Sequence, residues 1–314
     1  MIVAITGGTG FIGKHLIARH VARGDQVRYL TRSKAEEDFR GASAHIGNLS
    51  SSIDELRQFV RGADVLYHCA AELRNEAEMH NTNVLGTANL LAAATGETGR
   101  WVQLSSTGIY GSGLHGDIHE EAEINPVNAY EKSKAVSDSL VCAAAEKQGL
   151  PCVVLRPSNV YGTDMPNQSL FQLIRMIDRG MFFFIGKQGA VANYIPVENV
   201  VDALVLCGTA GLPGNGRVYI VSDHRAFEDF VGIIAAALGK RTPHKSLPES
   251  LVRAAVALAG LIPKFPLKSS RVDALTNRTI YRIDRIVSEL GYRNKISMEE
   301  GIGELTRYWK NGST

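Results

Sequence analysis

The fold is decided by residues 1–13, which read Met1-Ile-Val-Ala-Ile-Thr-Gly-Gly-Thr-Gly-Phe-Ile-Gly13. A short apolar strand there runs directly into three glycines. Gly7 permits a tight turn, Gly10 lets backbone N–H groups approach a pyrophosphate, and Gly13 lets the next helix pack on the strand. A helix predicted over 14–23 directs its partly positive N-terminus at the phosphates. The residues predicted to bind a dinucleotide are Gly7, Thr9, Gly10, Phe11, Ile12 and Gly13.

The composition is that of a globular protein with a sizeable core. The 314 residues are 45% apolar and 21% charged, enough for one large or two smaller domains. The formal net charge is +2 without a long basic or acidic run. We therefore expect neither nucleic acid nor a membrane surface as a partner, and a small molecule is the expected ligand.

Neither a signal peptide nor a membrane span is expected. The longest apolar helical stretch, residues 251–262, contains Arg253 and is too short to cross a bilayer. The cysteines are scattered, without a Cys-x-x-Cys pair or the spacing of metal ligands. We expect a cytoplasmic protein with free thiols and no bound metal.

Two polar segments are predicted to have no catalytic role. His115-Gly-Asp-Ile-His119 is expected to be a solvent-exposed turn rather than a metal site, because of its glycine and its loop setting. The acidic residues Glu120, Glu121 and Glu123 are expected to form a solvated face.

Strand-like apolar runs alternate with amphipathic segments along the first half of the chain, at 2–6, 26–31, 65–69, 101–105 and 153–156. This alternation predicts an α/β fold, a Rossmann-type doubly wound parallel sheet with a smaller C-terminal α/β substrate-binding region. We place the dinucleotide-binding domain at residues 1–165, with a strand at 217–221 returning to it. Residues 166–314 are expected to be mainly the substrate-binding region.

The strand ends are the expected positions of ligand contacts. The second strand ends in Arg32-Ser33-Lys34, where an NAD-preferring fold usually carries an acidic residue. A basic end suits a 2′-phosphate, so NADP(H) is the preferred cofactor and NAD the alternative. The other predicted cofactor contacts at strand ends are Asn48 and Leu49, then Cys69, Ala70 and Ala71.

The strand predicted at 101–105 leads to Ser106, and Tyr130 and Lys134 follow in a predicted helix. Residues four apart lie on one helix face, so Tyr130 and Lys134 point into the same space. A phenol exchanges protons poorly at neutral pH unless a neighbouring ammonium stabilises its anion. We predict that Tyr130 exchanges a proton with the substrate oxygen while the nicotinamide exchanges a hydride, and that Ser106 holds that oxygen.

Several segments together resemble the extended short-chain dehydrogenase/reductase family, the NAD(P)-dependent epimerase/dehydratase group. The matching segments are Thr6-Gly-Gly-Thr-Gly-Phe-Ile-Gly13, Asp64-Val-Leu-Tyr-His-Cys-Ala-Ala71, Asn83-Val-Leu-Gly-Thr-Ala-Asn-Leu-Leu91, Leu104-Ser-Ser-Thr-Gly-Ile-Tyr-Gly111, Tyr130-x-x-x-Lys134, Arg156-Pro-Ser-Asn-Val-Tyr-Gly162, Val197-Glu-Asn-Val-Val-Asp-Ala203, Leu290-Gly-Tyr292 and Ser297-Met-Glu-Glu-Gly301. The resemblance spans nearly the whole chain. It implies Tyr130 as acid/base, Lys134 as its partner and Ser106 as ligand of the substrate oxygen.

The resemblance also extends the expected contacts and the expected assembly. Tyr130, Lys134, Asn83 and Pro157 join the residues expected to contact the cofactor. Segments 83–94 and 129–145 are implied to pair with their copies in a homodimer through a four-helix bundle.

Two substrate classes compete. In the sugar-nucleotide branch, Ser106, Thr107 and Asn159 contact the substrate, although Ala192 stands where many such enzymes carry a phosphate-binding arginine. Arg271 or Lys187 is a candidate to supply that charge. The alternative is a 3β-hydroxysteroid dehydrogenase or dihydroflavonol reductase type of enzyme, with residues 181–185 lining an apolar pocket or simply packing in the core.

We expect a ketoreductase or epimerase acting on a nucleotide-linked sugar, with ketone reduction the first choice. Thr107-Gly108 stands where a dehydratase of this family carries an Asp-Glu pair, which argues against elimination. A non-catalytic dinucleotide-sensing protein is the alternative from another class, but sensing has no need of the proton chemistry that Ser106, Tyr130 and Lys134 provide.

Overall fold

The computed structural model describes residues 1–33, 39–211, 215–259 and 269–312. Within them, seven parallel strands form a central sheet with the order β3-β2-β1-β4-β5-β7-β11. Strands were numbered along the chain as β1 Ile2–Thr6, β2 Gln26–Thr31, β3 Ala42–Ile46, β4 Val65–His68, β5 Trp101–Leu104, β6 His115–Ile118, β7 Cys152–Pro157, β8 Asn159–Tyr161, β9 Phe184–Ile185, β10 Val191–Pro196, β11 Arg217–Val221, β12 His224–Ala226, β13 Ser246–Leu247 and β14 Arg278–Tyr281.

Helices cover both faces of the sheet. They are α1 Phe11–Ala22, α2 Ile53–Val60, α3 Glu76–Met79, α4 Gly86–Ala94, α5 Ala129–Gln148, α6 Ser169–Asp178, α7 Val197–Thr209, α8 Phe227–Leu238, α9 Glu249–Ala259, α10 Ser269–Thr276, α11 Asp284–Leu290 and α12 Met298–Gly312. A π-helical turn, His80–Leu85, joins α3 to α4, and a 3₁₀ turn, Thr107–Tyr110, follows β5. Helices α1 and α7 pack together, and α2 packs with α4.

Side chains alternate between the two faces of the sheet. On β1, Val3 and Ile5 join one buried core and Ala4 joins the other. This period of two, with both faces covered by helices, produces the continuous apolar strand seen in the sequence. The predicted α/β doubly wound parallel sheet is confirmed. Strand β11 lies beside β7 at one edge of the sheet.

Three helix boundaries differ from the sequence prediction. Helix α1 begins at Phe11, three residues before the predicted start, because Gly10 already occupies the N-cap position. The segment predicted as a helix from 83 to 94 begins inside the π-helical turn. Helix α5 continues to Gln148, where Gly149 with φ of +67° ends it.

The two expectations for polar segments are wrong in part. Residues 115–117, Glu121 and Glu123 are exposed as expected, but the first segment is not a turn and Glu120 is buried. Residues His115–Ile118 form strand β6, paired in parallel with β14, and are not a turn. Glu120 is only 8% exposed, and its carboxylate accepts a hydrogen bond from the backbone N–H of Ile220 at 3.0 Å. A buried carboxylate needs such partners, so this residue joins the segment after β6 to the edge of the sheet.

The aromatic residues near β9 belong to the core. Phe182 is buried and lies in edge contact with Phe184, with ring centroids 5.0 Å apart, and both pack near Phe227. Among the described helices, none is long and apolar enough to cross a membrane. The apolar stretch at 251–262 extends past the described residues, which end there at 259. Lys34, at the basic strand end, and Lys268, three residues before Arg271, also lie outside the described residues.

Candidate active site

A cavity of about 1680 Å³ opens at the carboxyl ends of β1, β2, β4, β5 and β7. We call it the strand-end cavity. Parallel strands end at the same edge of the sheet, so residues far apart in sequence meet there. Most of the sequence-predicted contacts line it: Gly7, Thr9, Gly10, Phe11, Ile12, Gly13, Arg32, Asn48, Leu49, Cys69, Ala70, Ala71, Ser106, Tyr130, Lys134, Pro157 and Asn159.

The glycine turn has the geometry that its sequence predicts. Gly7 has φ of +68°, and a Cβ there would lie 2.6 Å from the backbone nitrogen of Ala70. The Gly10 N–H donates to the Gly7 carbonyl at 3.0 Å. Because α1 begins directly after Gly10, its free N–H groups lie at the cavity. This arrangement suits a pyrophosphate.

The wall near Arg32 also contains a carboxylate. The Glu72 carboxylate accepts hydrogen bonds from the backbone N–H groups of Leu73, Arg74 and Asn75 at 2.9, 2.8 and 3.0 Å. These bonds, with a smaller contribution from Arg32, hold the pKa of Glu72 below its ordinary value. Arg32 is exposed and lines the same cavity as Glu72, so a cation and an anion share this end of the site.

A buried histidine supports the adjoining wall. The ring nitrogens of His68 lie 2.6 Å from Thr6 Oγ1 and 2.9 Å from Thr87 Oγ1. Thr87 donates to the Asn83 carbonyl, and Thr6 accepts from the Ala70 N–H. This pattern assigns the proton of a neutral imidazole to Nε2. Burial, followed by the charge of Lys134, lowers the pKa of His68 to about 3.

Helix α5 carries Tyr130 and Lys134 to the cavity. A capping box fixes its start, because the Asn128 side chain accepts from the Glu131 N–H at 2.9 Å while Glu131 accepts from the Asn128 N–H. Lys134 is buried, and its ammonium donates to the Leu104 carbonyl at the end of β5. Ser106 caps the 3₁₀ turn, and its Oγ accepts from the Gly108 N–H at 3.0 Å.

The pKa values of Tyr130 and Lys134 shift in opposite directions from their ordinary values. Burial, followed by the charges of Asp138 and Glu131, raises the pKa of Tyr130 to about 12. Burial also lowers the pKa of Lys134, while Asp138 opposes that shift. The phenol of Tyr130, the buried ammonium of Lys134 and the hydroxyl of Ser106 line one cavity. Such groups are able to exchange a proton with a substrate oxygen.

Three predicted residues lie outside the described wall of the strand-end cavity. Asn83 is buried and donates to Glu72 O at 3.0 Å and to Ser133 Oγ at 2.8 Å. Thr107 is buried and hydrogen-bonded to Tyr281. Arg271 contacts the Gln172 side chain. Asn83 therefore holds the Glu72 loop against α5, and all three ligand contacts stay predictions.

Other lining residues were missed from the sequence. Among them are Glu72, Arg74, Asn128, Ser158 and Asn167. Glu72 directly follows Ala71 after β4, and its place near a strand end was a signal for it. Asn128 precedes Tyr130 by two residues and has the residue type of an N-cap. Ser158 lies between the predicted contacts Pro157 and Asn159, whereas Asn167 had no such local signal.

The fold and this wall define an enzyme that uses a nicotinamide dinucleotide. The family model of the NAD dependent epimerase/dehydratase family matches residues 3–221, and the chain belongs to that family. It is an NAD(P)-dependent oxidoreductase of the extended short-chain dehydrogenase/reductase type, as the sequence predicts.

Its relatives differ in the reactions they are named for. A 4-hydroxy-2-methyl-3-oxo-4-farnesyl-3,4-dihydroquinoline-1-oxide ketoreductase of Stigmatella aurantiaca is 30% identical, over 96% of this chain and 94% of the relative. A UDP-glucose 4-epimerase of Vibrio cholerae is 27% identical, over 97% and 94%. The crystal structure of a UDP-glucose 4-epimerase with UDP-glucose from Thermotoga maritima superposes with a TM-score of 0.76 at 21% identity, covering 100% of both chains.

Proposed function

We propose that the protein transfers a hydride between a nicotinamide dinucleotide and a keto or hydroxyl carbon of a nucleotide-linked sugar, as a ketoreductase or an epimerase. The observation that carries this proposal is one cavity lined by the glycine turn, Ser106, Tyr130 and Lys134. Tyr130 supplies or removes the proton of the substrate oxygen, Ser106 orients that oxygen and Lys134 contributes positive charge. The cofactor supplies or accepts the hydride.

The nucleotide-sugar class is supported by the Vibrio cholerae relative, which is named for a UDP-sugar. The apolar-substrate alternative loses the wall proposed for it, since Phe182 packs in the core and Phe184 contacts it there. The Stigmatella aurantiaca relative is named a ketoreductase, which keeps ketone reduction as the first reaction to test. The farnesylated quinoline in its name keeps an apolar ketone as the alternative substrate. We propose residues 166–314 as mainly the substrate-binding region, with residues 1–165 and β11 holding the cofactor.

The test is turnover of UDP- and dTDP-linked hexoses and their 4-keto derivatives, followed by dinucleotide absorbance and by chromatography of epimers. Replacing Tyr130 by phenylalanine removes only the hydroxyl, and we expect the rate to fall by about 10²- to 10⁴-fold, the usual contribution of a positioned acid/base. Tyr29→Phe, at a buried tyrosine on β2, is the matched control. Full turnover by Tyr130→Phe would refute the acid/base role.

We propose NADP(H) as the preferred cofactor, with NAD as the alternative. Arg32 is an exposed cation on the cavity wall at the end of β2, where a guanidinium can pair with a 2′-phosphate. Arg32→Ala is expected to weaken NADP⁺ binding about tenfold and to leave NAD⁺ binding nearly unchanged, measured by calorimetry. Arg241→Ala, at an exposed position outside the described wall, serves as control. An unchanged ratio of the two affinities would remove Arg32 from cofactor selection.

We propose a homodimer in which α4 and α5 pack against their copies. Leu85 and Val136, on the segments that contribute to this face, are 48% and 47% exposed. Apolar side chains of this size gain free energy when they are buried between subunits. Sedimentation of native protein and Val136→Glu tests the proposal, with a dimer expected for the first and a monomer for the second. A monomeric native protein would contradict it.

A further inference from the structure

A buried ion pair lies behind the strand-end cavity. Arg156 Nε on β7 donates to Asp138 Oδ2 on α5 at 3.1 Å, and the two residues are 4% and 2% exposed. Replacing a buried ion pair by apolar residues is often neutral or stabilising, so stability alone is a weak reason for its presence. The contacts that this pair makes indicate another role.

Each member of the pair holds one end of residues 105–110, which contain Ser106 and are called the serine turn. Ser105 Oγ donates to Asp138 Oδ2 at 2.8 Å. Arg156 Nη1 donates to the Tyr110 hydroxyl at 2.8 Å, and the guanidinium carbon lies 5.3 Å from the centre of the Tyr110 ring. Residues 105 and 110 flank the segment that contains Ser106. Two hydrogen bonds to one ion pair therefore hold residues on either side of Ser106.

The same pair is attached to the helix that carries the acid/base. Asp138 lies on α5 one turn after Lys134 and two turns after Tyr130, so these three residues share one helix face. The Lys134 ammonium in turn donates to the carbonyl of Leu104, the residue before Ser105. Helix α5 is thus joined directly to the two residues before Ser106. It is joined to Tyr110, after Ser106, only through Arg156.

We propose that Asp138 and Arg156 are positioning residues that set the distance between Ser106 on its turn and Tyr130 on α5, and so align the two groups that hold the substrate oxygen. This inference rests on the proposed function of Ser106 and Tyr130. Moving a catalytic group by about 1 Å in such a site can lower the rate about 10²-fold. Ser105 and Tyr110 transmit the positioning through their hydroxyl groups.

The test removes the two hydroxyl contacts while leaving the ion pair intact. Ser105→Ala and Tyr110→Phe are each expected to lower kcat about tenfold, the rate equivalent of one hydrogen bond, with KM and the dinucleotide Kd unchanged. Placed in a Ser106→Ala background, the same substitutions are expected to cause little further loss, because they act through Ser106. Additive losses in that background would overturn the proposal.

Matched controls separate positioning from general damage. Tyr219→Phe removes a hydroxyl whose bond to Glu289 Oε2 measures 2.7 Å on β11, and Ser137→Ala removes one bonded to the Asn83 carbonyl at 2.5 Å. Neither hydroxyl contacts the ion pair, and kcat is expected to stay within about twofold of native. A tenfold loss in both controls would show that any lost buried hydroxyl has the same effect, and would overturn the proposal.

A second measurement needs no substrate. Amide hydrogen exchange of the free protein is expected to be about tenfold faster at residues 106–111 in Ser105→Ala/Tyr110→Phe than in native protein, with α2 and α12 unchanged. Unchanged exchange at 106–111 would overturn the proposal even if the enzyme is active. Absence of turnover by native protein would refute the proposed function, and the exchange result would still decide whether the ion pair holds the turn.

Discussion

His68 offers a test of how the cavity wall is held together. The imidazole is fully buried and neutral, and it links the end of β4 to Thr6 and to Thr87. Its pKa falls from 6.5 in the unfolded chain to about 3 in the folded protein, first because of burial and then because of Lys134. Below pH 6.5 the unfolded chain therefore binds one proton more than the folded protein.

The sign and size of the effect follow from this difference. The contribution of His68 to stability is fully present above its unfolded pKa and is lost as the pH falls toward the folded pKa. One proton changes the free energy of unfolding by about 1.4 kcal/mol per pH unit. Between pH 6.5 and about pH 4 the loss from His68 is therefore about 3 kcal/mol.

The measurement is urea unfolding of native protein and His68→Gln at several pH values between about 4 and 7. The variant is expected to be less stable at neutral pH, because glutamine does not reproduce both hydrogen bonds, yet its stability is expected to decline less steeply with acid. His80→Gln, at an exposed position, is expected to follow the native curve. Parallel curves for native protein and His68→Gln would refute the reasoning.

Two further substitutions test the glycine turn and the buried carboxylate. Gly13→Ala places a Cβ against the Gly7 carbonyl. We expect the free energy of unfolding to fall by about 1–3 kcal/mol and dinucleotide binding to weaken. The control, Gly303→Ala on α12, meets only a side-chain atom at 3.5 Å and is expected to be neutral or slightly stabilising. Glu120→Gln removes a buried charge bonded to β11, and we expect the free energy of unfolding to fall by about 1–2 kcal/mol. For the control Glu123→Gln, at an exposed position, we expect a fall of less than about 0.5 kcal/mol. Thermal unfolding and dinucleotide titration check both. Equal effects of each substitution and its control would contradict these assignments.

Local sequence was sufficient to predict the elements whose chemistry is local. The turn at Gly7 requires positive φ and close backbone contact, and both requirements appear directly as glycine. Tyr130 and Lys134 are separated by one helical turn, so their common placement on α5 follows from helix geometry alone. The apolar runs predicted strands β1, β2, β4, β5 and β7 of the central sheet, because burial on both faces makes such strands continuously apolar.

The orientation of polar side chains depended on residues distant in sequence. Asn83 and Glu120 have ordinary local sequences, yet the first bonds to Ser133 and the second to the backbone of Ile220, 100 residues away. Asp138 and Arg156 likewise meet only because β7 packs beneath α5. Sequence determined the turn, the strands and the helical acid/base pair, because backbone conformation and periodicity are local. Tertiary structure decided which buried polar groups support the site, because each had to find its partner on another element.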